Sequence, residues 1–338
     1  MRPGRALIYY ASMSLQLTIG INDDGRRLDR VLRKVLKDTP LSAIHRLLRR
    51  GRVLLDDRSA KGDARVEEGS RLTILVDPGD PSLDAPTAAA TPPPLPDILY
   101  ETANLLIIDK KAGVLVHGPD SLEESVREYL KDALPPSLSF KPGPLHRLDR
   151  VTSGIIVFSK SICGARDFSE ALRGRRLRKR YLAVLDGTAG ETMVWRDTLV
   201  RSEKVTRTID EDDPDGGEGI GKFSETQVWP LFRGKGKTMA LVEIRTGRTH
   251  QIRSQAGAHG FPLSGDGKYG GKPTDGGILL HAYELNLGDG LETGLPRSLR
   301  APLGPAFMAF AAKTGGEKTS ALLGTTPPTE ALLDAILA

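Results

Sequence analysis

His146-Arg147-Leu148-Asp149-Arg150-Val151-Thr152-Ser153-Gly154 runs directly into the apolar segment Ile155-Ile156-Val157-Phe158. The segment reads as a buried strand bounded by a Ser-Gly turn. Asp149 therefore sits at the edge of the core, in a cleft and not on a loop tip. With residues 147 to 149 extended, Arg147 and Asp149 point to the same side, so one pocket holds both.

Working outward from this strand, short apolar runs recur: Leu105 to Ile108, Val114 to Val116, Tyr181 to Leu185, Ala240 to Ile244 and Ile278 to Leu287 read as further strands. Ser121 to Leu134 reads as a helix, with Ser121 and Glu124 in capping-box spacing and Leu122, Val126, Tyr129 and Leu130 on one face. Arg166 to Leu172 is a shorter helix. Strands come both paired and separated by helices, which favours an α+β domain with a mixed, largely antiparallel sheet over a doubly wound parallel one.

Two more segments carry charge into this domain. Arg245-Thr246-Gly247-Arg248-Thr249-His250-Gln251-Ile252-Arg253 follows the strand Ala240 to Ile244, with a turn at Gly247 and a helix from about Thr249 to His259. Lys179-Arg180-Tyr181 opens the strand that ends at Leu185, and residues 172 to 180 hold six arginines or lysines in nine positions. Such a rim suits an RNA backbone, and a solvated helix end has the same composition. A tyrosine opening a strand is, taken alone, most often core packing.

Together these three segments, in this order, resemble the active-site motifs of the RluA family of pseudouridine synthases, over nearly everything from Ile98 to Pro302. The resemblance implies the pseudouridine synthase fold and an isomerase that detaches uracil from ribose in RNA and rejoins it through carbon. It implies that Asp149 is the catalytic carboxylate, that Arg253 is paired with it, and that Tyr181 lies against the target base, stacking on it or helping to remove the proton from carbon 5. A charge pair from Arg253 would favour the ionised carboxylate even in a desolvated cleft. A structural buried ion pair is the competing account of the same arginine. Chemistry on a stacked base requires extrusion, at roughly a few kcal/mol. By resemblance Arg147 fills the space the base vacates, and His146, Arg248 and Gln251 complete the substrate site, with His146 and His250 as hydrogen-bonding scaffolds. Asp149 attacking the sugar and Asp149 abstracting a proton to give a glycal both remain open.

Ahead of this domain, Gly25 to Leu55 holds ten lysines or arginines against two acids, the footprint of a polyanion-binding module. Leu28, Val31, Leu32, Val35 and Leu36 recur at helical spacing, and after Thr39-Pro40 so do Leu41, Ile44, Leu47 and Leu48, up to a stop at Gly51. Arg26, Arg27, Arg30, Arg33, Lys34, Arg46, Arg49 and Arg50 fall mostly off those faces and are the expected RNA-binding residues. Two strands follow, Arg52 to Leu55 and Arg71 to Val76. This order resembles the S-four RNA-binding domain, a small α/β module. Where that family has an Asn-Gly-type turn this chain has Asp56-Asp57, a poorer hairpin turn. A solvated helical hairpin is the alternative. The domain organisation expected is an extension over 1–13, the RNA-binding domain over 14–77, a proline-rich linker over 78–96, the catalytic domain over 97–314, and a tail over 315–338 with a helix from Pro327.

Composition fits this reading. The chain has 338 residues, 39% hydrophobic and 27% charged, with a formal net charge of +5, which suits a folded two-domain protein. The single cysteine, Cys163, excludes an internal disulfide and any cysteine-cluster metal site. Ala6 to Ala11 is too short for a signal core or a span, so a cytoplasmic location is expected; Met13 is a second candidate start. The six histidines show no metal-ligand spacing, so neither metal nor cofactor is expected. Gly265-Asp266-Gly267-Lys268-Tyr269-Gly270 fits a dinucleotide fingerprint in spelling only, since no strand precedes it and no helix follows. It resembles instead the glycine-rich turn beyond the arginine motif. The acidic run Asp210 to Gly221 reads as a solvated loop. The partner expected is structured ribosomal RNA, bound by a monomer without a membrane, because the basic domain resembles that of members acting on the large subunit. A synthase acting on tRNA, or an inactive RNA-binding or ribosome-assembly factor, are the alternatives.

Overall fold

In the computed structural model, residues 13–37, 39–76, 95–201, 206–209, 221–288, 295–310 and 313 are described. The N-terminal extension, most of the proline-rich linker, nearly all of the acidic run from Asp210 and the helix expected from Pro327 lie outside these residues. The chain forms two compact units, one of Met1–Pro92 with Tyr129–Pro142, the other of Pro93–Glu128 with Gly143–Ala338.

In the smaller unit, β1 (Met13–Thr18), α1 (Leu28–Val35), α2 (Leu41–Arg49), β2 (Val53–Leu55), β3 (Arg58–Ser59) and β4 (Arg71–Val76) follow one another. The strands form an antiparallel sheet in the order β1-β4-β2-β3. The helical faces read from sequence supply its core: Leu28, Val31, Leu32, Leu36 and Ile44 are buried together with Val53, Leu72 and Ile74. Leu41 is the exception, exposed at the start of α2. Asp56-Asp57 forms the two-residue turn between β2 and β3 after all. Both residues take positive φ, 47° and 64°, which Asp tolerates better than most residues, and Asp56 Oδ1 accepts the Arg71 backbone N–H at 2.8 Å.

Residues 129–142 fall in this smaller unit, against the expectation that they belong to the catalytic domain. The reason is Asp23, whose buried carboxylate accepts hydrogen bonds from Ser137 Oγ at 3.0 Å, Leu138 N at 2.7 Å and Ser139 N at 2.9 Å, and also from Ser139 Oγ. A buried charge of this kind is held by its donors.

The larger unit contains β5 (Ile98–Glu101), β6 (Leu105–Lys110), α3 (Leu122–Leu130, which runs on into the smaller unit), β7 (Gly143–Pro144), β8 (Ser153–Ser159), α4 (Ile162–Arg173), β9 (Arg178–Asp186), β10 (Met193–Arg201), β11 (Thr206–Ile209), β12 (Lys222–Gly234), β13 (Lys237–Ile244), α5 (Gln251–Ala258), β14 (Leu280–Asn286) and β15 (Ser298–Arg300). Among the described residues its strands form one sheet, ordered β11-β10-β12-β13-β9-β14-β8-β6-β5, with β15 on β14 and β7 on β8. Among the described residues only β14 and β8 pair in parallel, so the sheet is mixed and mostly antiparallel, as expected. One core cluster joins Leu105, Ile107, Ile155, Val157 and Phe168; another joins Leu182, Val184, Met239, Leu241 and Phe307.

Three local readings change. Val114 to Val116 is not a strand: Lys110 Nζ draws the carbonyls of Lys111 and Val114 inward, and the chain turns at Gly113. Ser121 makes no capping box, because Glu124 accepts the Asp120 N–H and Ser121 Oγ is buried without a partner. β10 and β12 are strands not expected from the sequence: inward positions of β12 include Ser224 and Thr226, whose hydroxyls donate to Asp197 O and Gln255 Oε1, and Pro230 interrupts its apolar stretch Val228 to Phe232.

The parallel pair dictates one glycine. Gly154 stands opposite Ala282 with φ at 104°, and a Cβ there would lie 2.2 Å from Ala282 O. Gly154→Ala is expected to destabilise the protein by about 1–3 kcal/mol through overpacking and backbone strain, read as a lower denaturation midpoint. A midpoint equal to that of the parent would show that the strands can part without cost.

Candidate active site

Asp149 lies on the loop between β7 and β8, in a turn closed by Thr152 N donating to Asp149 O at 3.1 Å. The loop is pinned from the end of β6. Lys110 Nζ is buried and donates to Lys111 O at 2.9 Å, Val114 O at 3.0 Å and Arg150 O at 3.2 Å. Arg150 Nε donates to Gly113 O at 2.9 Å, and Gly113 N returns a bond to Arg150 O. Burial pulls the Lys110 ammonium down to about 8, against the carboxylates of Asp149 and Asp109, which favour its charge. Sequence reasoning missed Lys110. Its signal was a charged pair, Asp109-Lys110, ending a strand that is otherwise wholly apolar.

Facing Asp149 from the start of α5 are Arg253 and His250. Arg253 Nη1 stands 3.6 Å from Asp149 Oδ2, and His250 Nε2 stands 3.7 Å from the same oxygen. Both distances exceed a direct hydrogen bond, so Asp149 is flanked by its partners and not clasped. Arg253 is clasped elsewhere. Its Nε and Nη2 form a fork on Asp266, at 2.7 Å to Oδ2 and 2.9 Å to Oδ1, with both side chains buried. Burial opposes the guanidinium charge, but the hydrogen bonds and charge of Asp266, with Asp149 behind them, raise its proton affinity above the ordinary value. The competing accounts of Arg253 thus both describe it: it is a buried structural pair with one donor left facing the catalytic candidate.

The glycine-rich turn supplies Asp266, a residue to which the sequence alone assigned no role. Gly265 has φ at 89°, and a Cβ there would lie 2.0 Å from Gly277 O; only glycine lets the chain pass and deliver Asp266 to the interior. Tyr269 of the same turn lies under the Arg253 guanidinium, 5.3 Å from ring centroid to Cζ, and its hydroxyl is 2.9 Å from His250 Nδ1. Tyr269 Oη also accepts the Thr206 N–H. If the hydroxyl then donates to Nδ1, the Nε2 proton faces Asp149. Burial is the largest influence depressing the His250 pKa, joined by the charges of Arg253 and Lys268 and opposed by Asp149. The imidazole, carried on a backbone that is left-handed at φ 54°, is thus disfavoured in its charged form.

Asp149, His250 and Arg253 line one cleft of about 620 Å³, together with Arg147, His146, Tyr181, Arg248 and the rim residues Arg173, Arg175 and Arg178. Tyr181 is buried on β9; burial, then the charge of Asp149, pushes its phenol well above the ordinary range, so it stays protonated. Arg147 is exposed at the mouth. His146 Nε2 accepts the Val157 N–H at 3.1 Å and the ring stacks near Phe168. Burial and then Lys179 lower it to about 3, which makes it a neutral scaffold. Gln251 lines the cleft with its amide already bonded within the protein. Its Oε1 accepts from Thr246 Oγ1 and Arg248 N, and its Nε2 donates to Glu225 O and Thr226 Oγ1. The buried amide is spent on fixing the 246–248 turn, leaving Arg248 to project outward.

In the smaller unit Arg27, Arg30, Arg33, Lys34, Arg46, Arg49 and Arg50 are exposed and Arg26 is half-buried. Arg27 is paired with Asp29 at 2.7 Å, which removes much of its charge from the outward field.

Residues 104–258 match the RNA pseudouridylate synthase family. Ribosomal large subunit pseudouridine synthase C of Escherichia coli K12 is 31% identical over 279 residues, spanning 80% of this chain and 84% of that protein. The protein of the same name from Pasteurella multocida is 28% identical over 321 residues, spanning 90% and 95%. Among solved structures, human RNA Pseudouridylate Synthase Domain Containing 4 superposes with a TM-score of 0.53 at 23% identity, covering 62% of this chain and 90% of that one. Human RNA Pseudouridylate Synthase Domain Containing 1 gives 0.50 at 22% identity, covering 70% and 97%. At such identities the structural likeness speaks to the fold alone.

Proposed function

Since this chain belongs to the RNA pseudouridylate synthase family, we propose that it isomerises specific uridines of large-subunit ribosomal RNA, with Asp149 as the catalytic carboxylate. The reaction breaks the bond from ribose C1′ to uracil N1 and makes one from C1′ to C5. The C5 proton leaves and N1 gains one, so the product is an isomer and no redox partner is consumed. The observation that carries the assignment is Asp149 itself: a carboxylate in a basic cleft, within 4 Å of Arg253 and His250 yet bonded to neither. That leaves its oxygens available to the sugar, either as nucleophile or as base.

Tyr181 is proposed to stack on the flipped uracil. A phenol whose pKa is raised by burial and by Asp149 is a poor acceptor for the C5 proton, which favours stacking and hydrogen-bond donation over proton removal. Arg147, exposed at the mouth, is proposed to hold the vacated space in the helix. The large-subunit substrate is carried over from the relatives' names. A cytoplasmic location is proposed on the same ground, as the place where such a substrate is met. Among the described residues no helix is long and apolar enough to cross a membrane.

The test is to incubate the protein with transcripts of large-subunit ribosomal RNA and of tRNA, then map pseudouridine chemically. New pseudouridine at one or a few large-subunit positions is the expected result. Conversion of tRNA alone would favour the tRNA alternative, and binding without conversion would favour an inactive factor.

The basic face of the smaller unit is proposed to anchor the RNA. Replacing the exposed Arg30, Arg33 and Lys34 by Gln is expected to weaken RNA binding and to flatten the dependence of log affinity on log salt by about 0.7–0.9 for each phosphate no longer neutralised. An unchanged slope would count against this face as an anchor. Substitution is preferable to deleting residues 1–90, because deletion would also strip Asp23 from its partners at 137–139.

A further inference from the structure

Scattered apolar side chains are normal on a protein surface, but Phe223 is not scattered at random. It stands 54% exposed near the start of β12. Glu225 lies two residues along the strand, on the same face of the sheet. Across β10, β12 and the end of β13 runs a row of three charges: Arg196, opposite Glu225 in the β10–β12 register, and Arg245, whose backbone N–H bonds Glu225 O. The one carboxylate holds both guanidiniums, Arg196 Nε at 2.9 Å and Arg245 Nε at 3.2 Å, while both arginines remain about 60% exposed (62% and 59%). Two cations on one anion leave a net positive row whose other N–H groups face solvent.

This row is continuous with the cleft. Arg245 and Arg248 line the cleft, and Arg248 Nε donates to Phe223 O at 3.3 Å. An aromatic face beside oriented arginines, at the exit of a cleft that takes an extruded nucleotide, matches the way single-stranded RNA is held: bases stack on aromatic rings and phosphates meet guanidiniums.

We propose that Phe223 is a stacking platform for an unpaired base flanking the target uridine, with Arg245 and Arg196 holding the phosphate beside it. The platform lies outside the target-base pocket and reads the strand as it leaves. Stacking accepts any base, so it contributes affinity and register more than sequence choice. The inference rests on the reading of RNA as substrate.

The test uses the full-length protein and transcribed large-subunit ribosomal RNA as probe, with affinity measured over a range of salt. Phe223→Ala and Phe223→Leu are each expected to weaken binding about tenfold, with the salt slope unchanged because no charge is removed. Phe223→Trp is expected to keep parental affinity, and the fluorescence of the new indole is expected to be quenched when RNA binds. Parental affinity in Phe223→Ala overturns the platform. So does parental affinity in Phe223→Leu, which would mean a merely apolar contact such as a protein partner makes, or an indole that RNA does not quench. Equal melting temperatures of the variants separate removal of the platform from damage to the fold. Failure of the parent to convert the RNA would sink the proposed activity alone, since the affinity and fluorescence arms need no turnover.

Discussion

Asp149→Asn is expected to reduce pseudouridine formation below detection while leaving RNA affinity within about threefold of the parent. The amide keeps the shape of the carboxylate but lacks both the nucleophilic oxygen and the basic one, so either course of the reaction loses its first step. The interaction removed is one made with the reacting sugar, and the loss falls on turnover more than on substrate binding. Stability should change little. The nearest partners of Asp149 are at 3.6 and 3.7 Å, too long for strong hydrogen bonds, and the side chain is partly exposed. Affinity is protected for a further reason. Removing an anion from a site that holds Arg253 and Lys110 makes the cleft more positive, which a phosphate backbone tolerates. Single-turnover conversion of a large-subunit transcript, beside filter binding of the same RNA, measures both halves. Retained turnover in Asp149→Asn would remove the catalytic assignment. Loss of affinity in proportion to loss of turnover would make Asp149 a structural group.

Fold and site differed in how plainly the sequence announced them. Segments with simple periodicity were legible: Ile155 to Phe158, Tyr181 to Leu185 and Ala240 to Ile244 all lie in strands, and the paired helices of the smaller unit bury the faces their spacing marks. What escaped was structure built from polar pairs. The first half of β12 buries Ser224 and Thr226 by bonding their hydroxyls, and Pro230 interrupts the apolar stretch Val228 to Phe232 that follows, so no simple alternation betrays the strand. Residues 129–142 join the smaller unit through the carboxylate of Asp23, far away in sequence, and through Leu138, which packs on its core. The site shows the same divide. Asp149 and Arg253 announced themselves by motif, whereas Asp266 and Lys110 act through hydrogen bonds to distant parts of the chain that appear only when it has folded. Gln251 shows another side of the divide, a motif residue that lines the cleft while its amide is bonded within the protein.

Asp266→Asn is expected to destabilise the protein by about 3–5 kcal/mol and to lower turnover beyond what that instability explains. Arg253 is 7% exposed at its side chain and Asp266 1%, so the fork between them exists away from water. Breaking a buried pair from one side leaves the other charge uncompensated, and that is the origin of the cost. An Asn at 266 can accept one N–H of the fork but offers no charge. The guanidinium must then turn to the remaining anion within reach, Asp149, whose Oδ2 already lies 3.6 Å from Nη1. A full pair there would occupy the oxygen that the sugar needs. Asp266 therefore does two things: it stabilises the interior and it keeps Arg253 from closing on Asp149. The second effect separates from the first in a cycle. Arg253→Met with Asp266→Leu should be more stable than either single variant, because the buried charges are removed together. Turnover in the double variant stays low if the guanidinium of Arg253 is needed beside Asp149. Denaturant midpoints and kcat at a temperature where every variant is folded measure the two effects. An Asp266→Asn variant with parental stability would mean that the fork contributes nothing to the fold. One that is unstable but turns over at the parental rate would show that Arg253 keeps its distance from Asp149 without the help of Asp266.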